Sequence, residues 1–335
     1  MKQKALFLLL FICTYYPLKG ETFLEKNLMV TSSVDGLRMG ATLTSPNHPK
    51  GSIVLATGSG IQNRDEEIFG KKPFKFLAEF LSSNGYAVLR VDDRGLENPT
   101  DAQNATIETI RNDVFSAVNL IDSIFPNIPK GIIGHSCGGN YAMAIAANYT
   151  DIDFIITLAA PAWQVDSIVM SQTRTIAKLA TGKWEKENLQ RNILKIAKSN
   201  LPLNTKRMYL SYIISEDLGE ITKMPEVQLQ INDQINALLS PWYQSFLKYD
   251  PSNDIKKIKC KFLALNGSKD CQVLQENLIT FSTLNSNVDT KSFENLNHLF
   301  QKCTLGGVDE YPYIQEDISQ EVLQTILDWL NSFIF

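Results

Sequence analysis

Ser136 stands in Gly134-His135-Ser136-Cys137-Gly138, a G-x-S-x-G pentapeptide between the apolar run 131–133 and the alanine-rich stretch 140–147. Strand, sharp turn, helix is the setting in which this pattern presents a serine as a nucleophile: the hydroxyl stands out from a strained turn, and the glycines let strand and helix approach closely. A serine hydroxyl attacks only when a base takes its proton. The chain holds 3 histidines. His48 lies between Pro46 and Pro49 in an early loop. His135 sits in the turn itself, where its side chain is expected to face away from Ser136. His298, in Asn295-Leu296-Asn297-His298-Leu299-Phe300, is left as the base.

The base needs an acid to orient it and to stabilise its charged form. Asp270, in Asn266-Gly267-Ser268-Lys269-Asp270, follows a predicted strand over 260–265 and precedes His298 by 28 residues. One helix and one strand fill that gap, so both loops should leave the same sheet edge, where α/β proteins gather catalytic groups. Asp166 and Asp254 are weaker rivals, and Asp270 also suits a helix N-cap. An oxyanion hole requires two backbone N–H groups. Cys137, directly after the serine, supplies one; Ser59, in Thr57-Gly58-Ser59-Gly60, is the choice for the other. The Cys137 thiol is expected to face the helix and not to react. A Gly-Ser-Gly loop without a following lysine is a weak phosphate signal.

These groups need a scaffold. Residues 21–50 are polar and turn-rich, with an apparent hairpin at Val34-Asp35-Gly36-Leu37, and suggest leading antiparallel strands. Apolar runs at 52–56, 86–91, 131–134 and 154–159 alternate with helical spacing at 74–81 and 107–125. That alternation predicts right-handed crossovers and a largely parallel sheet flanked by helices. It breaks over 162–250, a long helix-like stretch read as a cap inserted between two strands. Strand 260–265, helix 274–284, a short strand at 288–293 and a helix at 319–333 restore it. The expected division is 1–20 as an export signal, 21–161 with 251–335 as core, and 162–250 as helical cap.

With 335 residues, 44% of them hydrophobic, the chain can bury a sizeable core. A net charge of −4 without a dense Lys/Arg cluster argues against a nucleic-acid surface. Met1-Lys2-Gln3-Lys4 followed by the nine apolar residues Ala5 to Cys13 reads as a secretory signal, too short to span a bilayer. Export to the periplasm or the exterior is therefore expected; Leu10-Phe11-Ile12-Cys13 matches a lipoprotein box only loosely. The other cysteines, Cys137, Cys260, Cys271 and Cys303, have no C-x-x-C spacing, so zinc and thioredoxin-like readings are weak. No cofactor and no metal is called for.

Several motifs together carry a family resemblance: Gly58-Ser59-Gly60-Ile61-Gln62-Asn63-Arg64-Asp65-Glu66, Leu89-Arg90-Val91-Asp92-Asp93-Arg94-Gly95, Gly134-His135-Ser136-Cys137-Gly138-Gly139, Pro241-Trp242, Asp250-Pro251, Leu265-Asn266-Gly267-Ser268-Lys269-Asp270 and Asn297-His298-Leu299-Phe300-Gln301. The chain, over about 23–333, resembles α/β-hydrolases of the esterase and serine aminopeptidase S33-like group, often exported and carrying a cap. Serine, acid and histidine follow the order expected for α/β-hydrolases. The resemblance implies carboxylic ester hydrolysis and does not imply peptidase activity. Leu96-Glu97-Asn98 departs from the Gly and Ser usual after Arg94-Gly95, and Lys261 replaces a usual Pro; the first change is expected to alter a loop near the pocket.

Two further expectations concern loops. Arg64, Asp65, Asp93 and Arg94 either form a buried ionic cluster bracing the oxyanion loop or act as separate loop charges. Cys271 and Cys303, adjacent to Asp270 and near His298, would be close enough to bridge if the acid and base loops meet. The expected activity is cleavage of a small-molecule ester through an acyl-enzyme. Aminopeptidase or thioesterase action on the same residues is an alternative, and a non-catalytic hydrolase-fold binding protein is the rival of another class. Trp163, Trp184, Trp242 and Tyr243 are either pocket walls or cap core. Oligomeric state and substrate identity are not legible.

Overall fold

The computed structural model describes residues 22–334; the expected export signal lies outside them. Its eight strands are β1 (Phe23–Thr31), β2 (Arg38–Pro46), β3 (Gly51–Ala56), β4 (Tyr86–Val91), β5 (Lys130–His135), β6 (Phe154–Leu158), β7 (Lys261–Gly267) and β8 (Val288–Phe293). They form one sheet in the order β1-β2-β4-β3-β5-β6-β7-β8. The β1–β2 and β2–β4 pairs are antiparallel and every later pair is parallel. The leading hairpin closes at the expected turn, where Gly36 takes φ +78° and its N–H donates to the Ser32 carbonyl at 3.0 Å.

The central strands are apolar on both faces because helices cover both. Alternate residues divide cleanly. Val54, Ala56 and Ile132 enter one core, with Ala117 and Ile121 of α2 (Ile107–Ile124) and Ala142 and Met143 of α3 (Cys137–Asn148). Ile53, Leu55 and Ile133 enter the other, with Leu77 and Leu81 of α1 (Pro73–Ser82) and Ile326 and Leu330 of α11 (Gln320–Asn331). A period of two along each strand thus supplies two cores at once.

Between β6 and β7 the chain is helical: α4 (Val165–Thr181), α5 (Glu187–Lys198), α6 (Leu203–Leu218), α7 (Pro225–Leu238), α8 (Pro241–Phe246) and α9 (Ser252–Ile255). Leu210, Ile214, Ile231 and Ile235 give α6 and α7 a small core of their own. Trp242, Tyr243 and Phe246 of α8 pack instead on Cys137 and Tyr141, at the start of α3. The helix expected at 274 begins at Asn277, as α10 (Asn277–Leu284). The Asp270 carboxylate holds the N–H groups of Gln272 and Val273 in a turn and delays it. No described helix is long and apolar enough to cross a membrane.

Candidate active site

β5 runs in the middle of the sheet and stops at His135, and α3 starts at Cys137, so Ser136 alone makes the turn. It takes φ +50° and ψ −121°, a conformation that costs a non-glycine residue ~1–3 kcal/mol and persists only when its surroundings fix it. Here the Ser136 N–H donates to the Leu158 carbonyl at 2.8 Å. The closeness of strand and helix fixes it too. A Cβ at Gly138 would lie 2.1 Å from the Ala56 carbonyl oxygen, and one at Gly134 would lie 2.3 Å from the Gly138 backbone. Ser136 remains partly accessible while Asp270 and His298 are buried.

Asp270 follows β7 and His298 follows β8, its neighbour in the sheet. Gly267 makes their approach possible: a Cβ there would come 2.2 Å from the Leu296 carbonyl oxygen. Asp270 Oδ2 and His298 Nδ1 are 2.7 Å apart. Neither rival carboxylate is engaged there: Asp166 pairs with Lys198 at 2.7 Å, and Asp254 accepts from the Tyr249 hydroxyl at 2.8 Å. His48 is exposed beyond β2. The loop carrying His298 is shaped by Asn297, fully buried, whose Oδ1 accepts the N–H groups of Leu299 and Gln301, each at 2.9 Å.

The loop after β3 and the turn meet as expected. A Cβ at Gly58 would lie 3.4 Å from Ser136 Cβ and 3.5 Å from His135 Nδ1. Burial pushes the Cys137 thiol up to about 12, with Ser59 opposing the rise, so this sulfur stays protonated and is no nucleophile. The Gly58 N–H donates to Glu66 Oε1 at 2.8 Å. That same oxygen lies 2.9 Å from His135 Nδ1, and His135 Nε2 lies 3.0 Å from the His298 carbonyl oxygen. His135 therefore does face away from Ser136, into a buried network that local pattern does not signal. Burial pulls its imidazole down, but the Glu66 carboxylate and the His298 carbonyl outweigh that and hold it above its ordinary value.

Residues 72–299 match the family described as serine aminopeptidase, S33. The chain belongs to that family. It is an α/β-hydrolase, and Esterase EstD of Thermotoga maritima is 24% identical over 315 residues, spanning 92% of this chain and 68% of that protein. Solved structures agree in fold. An esterase from Pyrococcus furiosus superposes with a TM-score of 0.57 at 15% identity, covering 93% of this chain and 92% of its own. Est1E from Butyrivibrio proteoclasticus gives 0.54 at 14%, covering 91% and 98%.

The hydrolase has an apolar cavity of about 410 Å³ between the loop after β3 and the inserted helices. Gly58, Ile61 and Ala105 border it on one side, Tyr141, Trp242 and Tyr243 on the other. Two of the four aromatic candidates are thus pocket walls. Trp163 instead donates to the Thr280 hydroxyl at 2.8 Å, and Trp184 stacks under Arg174 at 4.6 Å. The departure at Leu96-Glu97-Asn98 lies in a loop that does reach the cavity, through Ala102 and Ala105.

The ionic cluster is not formed among its four candidates; each finds another partner. Arg64 pairs with Asp92, Asp65 with Arg90, and Arg94 with Asp113. Asp93 has no cation on it: Oδ1 accepts from the Thr57 hydroxyl at 2.7 Å and Oδ2 from the Gln62 N–H at 2.8 Å. Neither the four-residue cluster nor a set of separate loop charges forms: each of the four is held by a partner outside the set. Nor does the structure contain the expected bridge. Cys271 and Cys303 are free thiols; the latter donates to the Asn295 carbonyl at 3.4 Å, and burial pushes the Cys271 thiol up to about 12.

Proposed function

We propose that this hydrolase is exported and cleaves carboxylic esters through an acyl-enzyme on Ser136. The observation that carries the reading is the 2.7 Å pairing of Asp270 with His298, on loops beside the strained turn that presents a partly accessible serine. In the first step Ser136 Oγ bonds to the ester carbonyl carbon while His298 takes its proton through Nε2. Asp270 keeps the Nδ1 hydrogen of His298 and balances the imidazolium. The N–H groups of Ser59 and Cys137 receive the oxyanion; one such donor is worth ~3–4 kcal/mol in the transition state. Collapse breaks the C–O bond, and His298 returns its proton to the departing alcohol. Water, deprotonated by His298, then attacks the acyl carbon and releases the acid and Ser136. The apolar cavity beside Gly58 suits the acyl chain or an aryl group, and EstD, a relative named as an esterase, supports ester over amide.

Ser136→Ala tests this directly. Hydrolysis of a p-nitrophenyl ester and labelling by a fluorophosphonate probe should both vanish with the fold intact. Turnover that survives the substitution would refute the assignment. An amino-acyl amide and a thioester assayed beside the ester should turn over far more slowly. Export is checked separately, by sequencing the N-terminus of the mature protein: an intact Met1 would end that part of the reading.

A further inference from the structure

His135 and Glu66 lie outside the proposed chemistry, yet they join three of the segments that contribute to it: the oxyanion loop, the nucleophile turn and the base loop. Glu66 Oε1 accepts the Gly58 N–H at 2.8 Å, one residue before Ser59. The same oxygen is 2.9 Å from His135 Nδ1, one residue before Ser136. His135 Nε2 is 3.0 Å from the backbone oxygen of His298 itself. Both side chains are buried, and the imidazole rings of His135 and His298 are 4.7 Å apart between centroids. Glu66 adopts φ +51°, an unfavourable conformation for a side chain of its size, so local backbone preference does not place it there.

The donor inventory fixes the protons. A carbonyl oxygen only accepts, so His135 Nε2 must carry a hydrogen. Glu66 holds the imidazole above its ordinary value, which favours a second hydrogen, on Nδ1, donated to Oε1. Both ring nitrogens are then donors: an imidazolium against a carboxylate, buried as a net-neutral pair.

We propose that the His135–Glu66 pair is a positioning strut that sets the backbone of the base loop against the oxyanion loop. The inference rests on His298 being the base. Its sequence neighbour Asn297 fixes the far side of the same loop from within, but His135 is what ties the His298 backbone to the nucleophile turn. Without it, Nε2 of His298 drifts relative to Ser136 Oγ while the pairing with Asp270 persists. A misplacement of about 1 Å costs on the order of 10²-fold in rate.

Two variants of His135 separate positioning from mere packing. A glutamine amide places a donor where Nε2 was; an asparagine amide is shorter, reaching the Glu66 side but not the His298 carbonyl. His135→Gln should keep kcat for a p-nitrophenyl ester within about tenfold of wild type. His135→Asn should lose on the order of 100-fold in kcat with KM changed less than threefold, at a melting temperature close to that of the Gln variant. Equal kcat in the two would overturn the strut. Glu66→Leu should match His135→Asn, and the double variant should lose no more than either, as parts of one unit do; losses that multiply would also overturn it. His298→Ala is the control for the underlying reading. Activity surviving that change sinks the base assignment itself, whereas a dead His298→Ala beside a fully active His135→Asn sinks only the strut.

Discussion

Asp270 divides its carboxylate between two tasks: Oδ2 lies 2.7 Å from His298 Nδ1, while Oδ1 accepts the N–H groups of Gln272 at 2.8 Å and Val273 at 2.9 Å. The cap-like contacts and the pairing with His298 therefore coexist in one carboxylate. They can be separated by mutation.

In Asp270→Asn, the remaining oxygen still serves the two backbone amides, but the new NH₂ faces His298 Nδ1. The imidazole must then carry its hydrogen on Nε2, the tautomer that cannot accept a proton from Ser136. Expected is a fall in kcat of ~10³–10⁴-fold with the melting temperature nearly unchanged. Asp270→Ala should lose as much activity and also ~1 kcal/mol of stability, as a lost turn cap does. Steady-state kinetics and thermal melts on the two variants decide it; an Asn variant with unimpaired kcat contradicts the assignment.

The cavity should set acyl length. Ala105 lines it, while Ser136 and Cys137 are not among its lining residues, so Ala105→Leu fills part of it without altering the nucleophile turn. Each methylene buried there contributes ~0.8 kcal/mol. In a series of p-nitrophenyl esters, kcat/KM for acetate should stay within about twofold, and the optimum should move two or three carbons shorter. An unchanged chain-length profile would show that the acyl group lies elsewhere.

Asp93 gives the enzyme a pH-dependent weakness. Burial pushes its carboxyl up to about 7, with Glu66 and Asp92 adding to the rise and the Thr57 and Gln62 donors opposing it. What accessibility it has faces the cavity, which it helps to line. In the unfolded chain an aspartate titrates near ~4. Between about pH 4 and 7 the folded protein therefore holds a proton the unfolded chain has released, so stability falls as pH rises through that window and levels off above it. Asn at 93 can donate to Thr57 and accept from Gln62 with no charge to desolvate. Melting temperatures at pH 4.5 and 7.5 should drop less steeply for Asp93→Asn than for wild type; parallel slopes would discount Asp93.

Much of the scaffold could be read from local pattern. The parallel strands announce themselves as apolar runs because both faces are covered, and Ser136, Asp270 and His298 follow from a turn motif, a scarcity of histidines and one helix-plus-strand spacing. The charged residues were a different matter. Arg64 and Asp65 are adjacent in the chain, as are Asp93 and Arg94, but Arg94 reaches across to α2 and Asp65 to β4. Partner choice depends on which way each side chain leaves the backbone, and no periodicity reports that outside helix and strand. Glu66 was hidden for the same reason, doubled by its positive φ. The one available signal was its place at the end of Gly58-Ser59-Gly60-Ile61-Gln62-Asn63-Arg64-Asp65-Glu66. Asn297 differs again: a lone buried asparagine next to a histidine reads as loop polarity until its oxygen is seen to hold two amides.

Arg94 carries the largest stability effect expected of a charge. Its Nε donates to Asp113 at 2.6 Å and a terminal nitrogen to the other Asp113 oxygen at 2.9 Å, on α2. The same guanidinium reaches Asp35 at 2.9 Å and the Ser32 hydroxyl at 3.2 Å, at the β1–β2 turn. Four segments thus share one cation, counting its own loop after β4 and the carbonyl of Asp101 at 3.4 Å. Asp35 is exposed and its carboxyl, held down first by the Arg94 hydrogen bond, can turn to water if the cation goes. Asp113 cannot: it is buried. Arg94→Met should therefore cost ~3–5 kcal/mol, mostly the penalty of leaving Asp113 charged and unpaired. Adding Asp113→Leu removes that orphan, and the double variant should regain at least half of the loss even though the arginine is still missing. Chemical denaturation of the two single variants and the double closes the cycle. A double variant weaker than Arg94→Met would mean that the links to the hairpin turn, rather than the buried carboxylate, set the cost.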